Sequence, residues 1–485
     1  MILGRRRILV LFCCFLMLSA TAQKDTAVNV TDSAAMAFPT IIVTPPKDTA
    51  LVVIADISLH GNKKTLPFII QRELPFKQGE YLTYEDLQKK VILANERVMN
   101  TALFTQVHVY IESRHGELVF INVDVKERWY LFPLPYFKLV DRNFNQWLVE
   151  HNASFSRVDY GIKFDQKNFS GRNDKLSVYL ISGYSRQVWL KYEQPYANRN
   201  LNSGYRVAFN FSRQRELNYA TSLSKQSFYK QDQFAIQTIT GEVGYLYRPA
   251  IKTRHVVKLG YTSTKVTDTI RALNPNYFGD SLAKLSYPEI SYTIEYADAD
   301  YNAYPLRGII ADASITRKGI NRNMNLTEFD YHLNYAIPLK YKSGLLLQSA
   351  GVLKLPFDQP YINQQVFGYG DAYLRGLEYY VIDGVAGAMG RATFRHEFFS
   401  FILKTPPKYK KEVSIPFRLF LKAGGDVGYV YSKNPATSLL NNKMLFTQTL
   451  GLDVVIPSYD VVFKVEYSFN QLGGSGLFFH VRSDF

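Results

Sequence analysis

Residues that could do chemistry are present, but their spacing forms no catalytic pattern. The eight histidines are scattered along the 485 residues without metal-ligand spacing. Residues 473–476 (Gly-Gly-Ser-Gly) do not complete the Gly-x-Ser-x-Gly turn of a serine hydrolase. Residues 367–370 (Phe-Gly-Tyr-Gly) lack the third glycine and the helix of a phosphate-binding loop. The sequence therefore predicts no enzyme, no metal and no cofactor.

One cluster of residues is better suited to holding charge inside a protein. Residues 369–378 (Tyr-Gly-Asp-Ala-Tyr-Leu-Arg-Gly-Leu-Glu) lie in a long connection between strand-like segments. An enclosed Arg375 needs carboxylate partners, because a guanidinium is stabilised best by bidentate carboxylates. Glu397 and Asp426 follow on the polar faces of two later strand-like segments. Both acids should face the same polar interior, which makes Glu397 and Asp426 the two candidate partners of an enclosed arginine.

Strands must position these residues, because period-two alternation fills the chain from Arg128 onward. We count about sixteen segments of roughly ten residues, the pattern of a membrane β-barrel. Tyr 35 and Phe 33 are high counts, mean hydropathy is only −0.15, and no long apolar run follows the N-terminal one. A soluble β-sandwich would show the same alternation, but the aromatic content and the two chain ends favour a membrane barrel. The fold prediction is a mostly β protein, with a transmembrane antiparallel barrel over residues 128–485.

The last residues indicate how such a barrel would close. Phe479, Val481 and Phe485 share one face of an alternating segment, and an aromatic end predicts a terminus held in the sheet. The segment resembles the final strand of bacterial outer-membrane barrels, which acts as an assembly signal. The first strand of the predicted barrel contains Pro133 and Pro135, which cannot donate to a ladder of hydrogen bonds. We expect the seam between the first and last strands to be short of hydrogen bonds.

The N-terminal residues read as a secretory signal over residues 1–22, followed by a flexible linker over residues 23–50. Three arginines precede an apolar run of signal-peptide length that contains both cysteines. Lys+Arg 57 against Asp+Glu 42 makes the chain basic. In a secreted chain this charge suits anionic membrane lipid and not nucleic acid. We therefore expect a bacterial outer-membrane location, with outer-membrane lipids as partners.

Residues 51–127 are predicted to form a small α+β module. Alternating apolar residues begin it, Thr83 is placed to cap a helix, and two alternating segments end it. The order strand, helix, helix, strand, strand resembles a polypeptide-transport-associated (POTRA) domain.

With these motifs in order, the chain resembles the BamA/TamA superfamily of outer-membrane insertases. The tip Leu374-Arg375-Gly376 matches the family's lumen loop, with Leu377 where an aromatic is usual, and Glu397 and Asp426 match its partners. The resemblance implies assembly of other outer-membrane proteins. A periplasmic POTRA domain would bind unfolded outer-membrane or secreted clients by β-augmentation, and clients would insert through a lateral seam. Accessory assembly proteins would be further partners.

Two other functions remain open at this point. A two-partner secretion pore for one dedicated passenger is similar, but usually carries two POTRA modules and a plug helix. A passive solute channel needs no POTRA-like module. Steady ion conductance in planar bilayers would favour the channel.

Overall fold

The computed structural model describes residues 49–139, 158–231, 233–321, 323–370, 372–404, 414–435 and 437–481. The predicted signal peptide, most of the predicted linker and Phe485 lie outside these residues. None of the described helices is long and apolar enough to cross a membrane.

The N-terminal module is a four-stranded sheet covered by helices. Its elements are β1 (Leu51–His60), α1 (Pro67–Gln71), β2 (Tyr81–Thr83), α2 (Tyr84–Met99), β3 (Phe104–His115) and β4 (Leu118–Glu127), with sheet order β2-β1-β4-β3. The Thr83 side chain accepts the Asp86 N–H, which caps α2 as predicted. The predicted element order is confirmed, with β2 as an additional short strand.

A sixteen-stranded antiparallel sheet follows, and it confirms the predicted barrel architecture. Consecutive strands pair with their neighbours, so the described ladder runs from β5 at one end to β24 at the other. Its strands are β5 (Leu131–Leu139), β6 (Val158–Lys167), β7 (Lys175–Gly183), β8 (Arg186–Gln194), β9 (Ser203–Gln214), β12 (Ile236–Tyr247), β13 (Thr253–Val266), β14 (Lys284–Ala299), β15 (Gly308–Asn321), β16 (Met324–Pro338), β17 (Ser343–Leu355), β20 (Ala386–Lys404), β21 (Ser414–Tyr431), β22 (Leu445–Ile456), β23 (Val461–Asn470) and β24 (Ser475–Val481).

Short elements lie in the connections of the barrel. Two-stranded ribbons are formed by β10 (Glu216–Ser222) with β11 (Lys225–Lys230) and by β18 (Gln365–Phe367) with β19 (Ile382–Asp383). The remaining elements are α3 (Asp268–Leu273) and the 3-10 turns Tyr361–Asn363 and Pro457–Tyr459.

Alternation along the strands separates an apolar outer face from a polar lumen. On β23, Val465 and Tyr467 are exposed, whereas Glu466 and Ser468 are buried. Period-two alternation produces this arrangement, because successive side chains point to opposite faces of a sheet.

The two ends of the barrel carry different connections. The longer connections, among them residues 356–385 between β17 and β20, lie at one end, which we call the loop end. The turns that contact the N-terminal module lie at the other, which we call the POTRA end.

Candidate functional site

The connection between β17 and β20 folds back into the lumen and buries its tip. Leu374 is 1% exposed and Arg375 is 3% exposed. Leu374 and Leu377 pack with apolar residues of β18, β19 and the neighbouring strands β21 and β22. The apolar residues around Arg375 thus anchor the loop, and the guanidinium must find its partners inside the barrel.

Asp426 of β21 is the principal partner of Arg375. The Arg375 Nε and Nη2 donate to Asp426 Oδ1 at 3.0 and 2.6 Å, and the Arg375 backbone N–H donates to Oδ2 at 2.9 Å. Arg391 of β20 donates to the same carboxylate at 3.1 Å through Nε. Its Nη2 also donates to the Tyr373 carbonyl at 2.8 Å. Two arginines therefore hold one buried carboxylate, and both of them also fix the loop.

The predicted contact between Arg375 and Glu397 is wrong. Among the described residues, the Glu397 carboxylate accepts from Arg418 Nη2 at 2.6 Å instead. The register pairs Arg391 with Asp426, so Glu397 lies six residues further along β20. At about 3.3 Å per residue that distance is roughly 20 Å. Glu397 shares the lumen face with Arg391, but it sits at a different depth.

Glu466 of β23 is the second carboxylate near the loop arginine. Its Oε1 lies 3.7 Å from Arg375 Nη1 and 2.9 Å from Lys422 Nζ. Lys422 also pairs with Asp453 of β22. Three cations therefore balance three carboxylates in this cluster, which reduces the cost of burying each charge. The three cations are Arg375, Arg391 and Lys422, and the three carboxylates are those of Asp426, Asp453 and Glu466.

The same cluster reaches the last strand of the barrel. His480 Nδ1 of β24 lies 3.0 Å from Glu466 Oε2. The His480 ring stacks on the loop residue Tyr373, with centroids 5.2 Å apart. The loop thus supports β24 from inside the lumen.

Glycines leave the space that the loop tip occupies. A Cβ at Gly424 would lie 2.3 Å from the Ala392 carbonyl oxygen and 3.1 Å from Arg375 Nη2. Gly376 has a φ of +84°, a conformation that other residues rarely adopt. The predicted Arg-Gly tip therefore depends on its glycine for the turn and on Gly424 for its seat.

The turn between β14 and β15 fills the POTRA end of the lumen. Tyr304 is 2% exposed and donates to Asp453 Oδ2 at 2.9 Å. The Arg395 guanidinium lies over its ring, 4.2 Å from the centroid. Through Asp453 this turn joins the charged cluster around Arg375.

The N-terminal module is fixed to the barrel by a buried ion pair. Glu73, 3% exposed, accepts from Arg248 Nη1 at 2.6 Å and Nη2 at 3.1 Å. Arg248 also donates to the Tyr196 hydroxyl, and Arg72 lies over the Tyr196 ring at 4.4 Å. The apolar core of the module continues into Tyr196 and Tyr130, so the module and the rim share one core.

Further contacts spread around the rim. Arg128 pairs with Asp460, Asn100 Nδ2 donates to the Ala299 carbonyl at 3.0 Å, and Arg307 Nη2 donates to Glu96 at 2.6 Å. Burial raises the pKa of Glu96, and the Arg307 guanidinium opposes that rise. The contacted turns join β6 to β7, β8 to β9, β12 to β13, β14 to β15 and β22 to β23. The module therefore bridges separate parts of the opening.

Replacing Arg248 with alanine should loosen this docking. The change leaves Glu73 buried with only Arg72 as an ionic partner, and removing one partner of a buried pair costs about 3–5 kcal/mol. We expect faster hydrogen exchange in the turn 195–202 and unchanged exchange in the strands of the module's core. An unaltered exchange pattern in that turn would show that the ion pair does not hold the module. Lys89→Ala, on the solvent face of α2, is the control.

β5 and β24 are the two end strands of the described sheet, and each has one edge without a strand partner among the described residues. The Lys167 N–H donates to the Tyr130 carbonyl, so alternate residues from Tyr130 direct their backbone groups to β6. Pro133 and Pro135 have the other parity, and their nitrogens point to the free edge. The β5 edge thus lacks two donors; the predicted shortage of hydrogen bonds between β5 and β24 stays a prediction.

The last strand presents a more complete edge. The Asn470 N–H donates to the Gly474 carbonyl, which places the backbone groups of Ser475, Leu477, Phe479 and Val481 on the free edge. Phe479 and Val481 are 63% and 52% exposed and point outward. Their predicted role as a strand signal is not tested by this geometry, and Phe485 lies outside the described residues.

One cluster has the composition of a metal site. Ligand atoms of Asp312, Asp330 and His332 lie within 4.8 Å of one another on β15 and β16. His332 already pairs with Asp312 at 3.0 Å, and Ser314 donates to Asp330 at 2.6 Å. Protein partners account for these groups, and we assign them no metal.

Comparison with protein-family models places two domains on the chain. The Omp85 superfamily domain matches residues 168–471, more than half of the chain. The chain belongs to the Omp85 superfamily. A POTRA model, described as the surface antigen variable number repeat, matches residues 52–128.

Three solved structures are similar to this chain in fold. BamA from Haemophilus ducreyi lacking POTRA domains 1–3 is 15% identical, with 89% of this chain and 84% of that chain covered and a TM-score of 0.46. CdiB from Acinetobacter baumannii is 13% identical, with 89% and 74% covered and a TM-score of 0.46. CdiB from Escherichia coli is 9% identical, with 91% and 92% covered and a TM-score of 0.43. A comparison with curated protein sequences finds no match.

The predicted superfamily and architecture are confirmed: this is an Omp85 superfamily protein with a POTRA domain at residues 52–128. Its location is the bacterial outer membrane. Omp85 proteins are outer-membrane insertases or two-partner secretion transporters, handle unfolded outer-membrane or secreted clients, and are generally not enzymes.

Sequence reasoning missed part of the charged cluster in this Omp85 protein. Glu466, Asp453 and His480 contact the loop or its partners, although the sequence singled out none of them for this role. Glu466 did show the polar parity of β23. The parity of a residue in a strand shows whether its side chain faces the lumen, but not how deep in the barrel it lies. Only the register between neighbouring strands gives that depth.

Proposed function

We propose that this Omp85 protein assembles other outer-membrane proteins and inserts them through the seam between β5 and β24. The observation that carries the proposal is the mismatch between these edges. β24 offers a full row of backbone groups, whereas β5 lacks two donors at Pro133 and Pro135. A seam with fewer hydrogen bonds opens at lower cost, and the exposed β24 edge can pair with an incoming strand.

The lumen cluster supports the same function. Arg375, Asp426 and Glu466 hold the loop against the strands next to the seam, and His480 ties β24 to them. If the barrel opens between β5 and β24, the strands next to that seam need support from within the lumen. A passive channel needs no docked POTRA-like module.

The POTRA domain, proposed to lie in the periplasm, would receive clients along β3, the long edge of its sheet. This edge is partly occupied. Asn95 of α2 donates to the Val109 carbonyl at 3.1 Å and accepts the Val109 N–H at 2.9 Å. The Asn95 side-chain amide thus makes the two hydrogen bonds that a residue of a neighbouring strand would make to Val109. A client strand must displace this side chain to pair along the whole edge of β3.

Replacing Asn95 with alanine should therefore strengthen client binding. The change frees both backbone groups of Val109, and alanine keeps the helix. We expect a several-fold lower dissociation constant for a peptide of residues 475–485, roughly the effect of one or two hydrogen bonds. Fluorescence anisotropy with the full chain measures it, and Lys89→Ala on the same helix is the control. Equal or weaker binding by the Asn95 variant would remove β3 as the docking edge.

The proposed function is tested by reconstitution. The purified full chain is placed in liposomes, an unfolded outer-membrane barrel protein is added, and its folding is followed by protease resistance. We expect folding well above that in empty liposomes. Folding no faster than in empty liposomes contradicts the proposal.

A further inference from the structure

β20 and β21 are much longer than the strands beside them. They have 19 and 18 residues, whereas about 9–11 residues suffice for a strand to cross a bilayer. β17 stops pairing with β20 at His396, and β22 stops pairing with β21 at Arg418. Beyond Ser400 and Arg418 the two strands pair only with each other, up to Lys404 and Ser414. We call the part of this hairpin that β17 does not cover, residues 397–404 and 414–418, the ribbon.

The ribbon projects from the POTRA end of the barrel. Eight residues of β20 lie beyond its last pair with β17. At about 3.3 Å per residue and a tilt of roughly 40°, they extend about 20 Å past that strand. About eleven residues suffice for a tilted strand to cross the hydrocarbon layer. Counted from Tyr431, at the loop end of β21, about eleven residues reach only to Leu421. Counted in this way, the ribbon falls beyond the residues needed to cross the hydrocarbon layer.

One face of the ribbon is apolar and exposed. Phe399, Phe401 and Leu403 are 53%, 41% and 54% exposed. They pair with Leu419, Phe417 and Ile415 of β21, and the Phe401 and Phe417 rings stack with centroids 5.0 Å apart. Exposed apolar patches of this kind mark interaction sites.

A β-bulge sets this face. The register shifts between Glu397 and Phe399, so Phe398 is an extra residue on β20. The shift turns Phe399 and Phe401 to the outer side, whereas the preceding parity would have pointed them to the lumen side. Bulges commonly re-aim side chains in this way.

The opposite face and the edge complete a binding surface. Ser400 and Arg418 lie on the opposite face, with Arg418 paired to Glu397 at 2.6 Å. The edge of β20 from Phe398 to Lys404 has no strand partner among the described residues. An extended segment with apolar side chains at alternate positions would add its backbone to this edge and its apolar face to the aromatic face.

We propose that the ribbon is a second docking site for client strands, at the POTRA end and outside the lumen. Its partner is an extended polypeptide segment with apolar residues at alternate positions, as in a strand of an outer-membrane barrel. The inference rests on the proposed function, because it names a surface that would hold a client before it reaches the seam.

Photo-crosslinking tests the ribbon directly. The full chain is placed in nanodiscs with p-benzoylphenylalanine in place of Phe401, or in place of Ile402 on the other face. The probe is a labelled peptide of residues 475–485, and the comparison peptide has the same composition with its apolar residues adjacent. We expect position 401 to crosslink the alternating peptide about tenfold more than the rearranged one, and more than position 402 does.

A matched pair of variants separates binding from folding. Phe417→Ser should lower the crosslink at position 401 about tenfold, and Phe417→Leu should retain most of it. Tyr341→Ser, which removes an aromatic 87% exposed on the adjacent turn, should leave it unchanged.

Equal crosslinking of both peptides, adducts with phospholipid in place of peptide, or no adduct at position 401 would each overturn the ribbon proposal. These outcomes are distinct from failure of the proposed function. Reconstituted folding with no peptide crosslink removes the ribbon alone, whereas a peptide crosslink without client folding removes the assembly function.

Discussion

Replacing Arg375 with alanine is expected to release the loop from the lumen and to slow client insertion. The variant removes two side-chain donors, Nε and Nη2, to Asp426 and one ionic neighbour of Glu466. Loss of one partner of a buried ion pair costs about 3–5 kcal/mol, and Arg391 offsets part of it. A cost near 3 kcal/mol raises the undocked fraction of the loop roughly a hundredfold. Limited proteolysis of residues 356–385 and the rate of client folding in liposomes measure both effects.

Insertion should suffer because the loop supports the seam strand. Glu466 and Tyr373 both contact His480 of β24, so a released loop leaves that strand less well held. Arg375→Lys should fall between wild type and alanine, since lysine keeps the charge but not the two-pronged geometry. Arg271→Ala is the control, because its pair with Asp268 at 3.2 Å is exposed and contributes little. Wild-type insertion by the Arg375→Ala protein would remove the loop from the mechanism.

Replacing Pro133 and Pro135 together with alanine is expected to tighten the seam. The change adds two N–H donors to the β5 edge that faces β24. Each new hydrogen bond contributes about 0.5–1.5 kcal/mol, so two of them lower the open population roughly five- to a hundredfold. If the seam must open before a client inserts, client folding in liposomes should slow by a similar factor.

The control for this variant is Pro288→Ala, a proline of β14 that is far from the seam along the sheet. It should leave client folding unchanged. A disulfide between cysteines on β5 and β24 provides the extreme case and should stop insertion until it is reduced. Full activity of the locked protein would exclude gating at this seam, whatever the proline variant does.

The sequence predicted the fold well because alternation is a local signal. Period-two patterns identified the barrel, and helical spacing with the Thr83 cap identified the two-helix module. The contact of Arg375 with Asp426 was predicted as well, since the loop motif and the parity of β21 agree.

Pairing register could not be predicted in this way. Glu397 and Glu466 both have lumen-facing parity, but only the register places Glu466 at the depth of Arg375 and moves Glu397 toward the POTRA end. The docking of Glu73 against Arg248 joins residues that are far apart in the chain, and no local pattern reports such a pair. The sequence could not reveal the ribbon for a related reason. Only the alignment of the strands shows that β17 and β22 stop pairing before β20 and β21 end.

Quantitative proteomics of outer membranes after depletion of this protein tests the central claim most directly. Assembly of other outer-membrane proteins predicts that many barrel proteins fall together, and that wild-type protein restores them whereas the double proline variant restores them only partly. Loss of one secreted passenger alone, or an unchanged outer membrane, would contradict the claim.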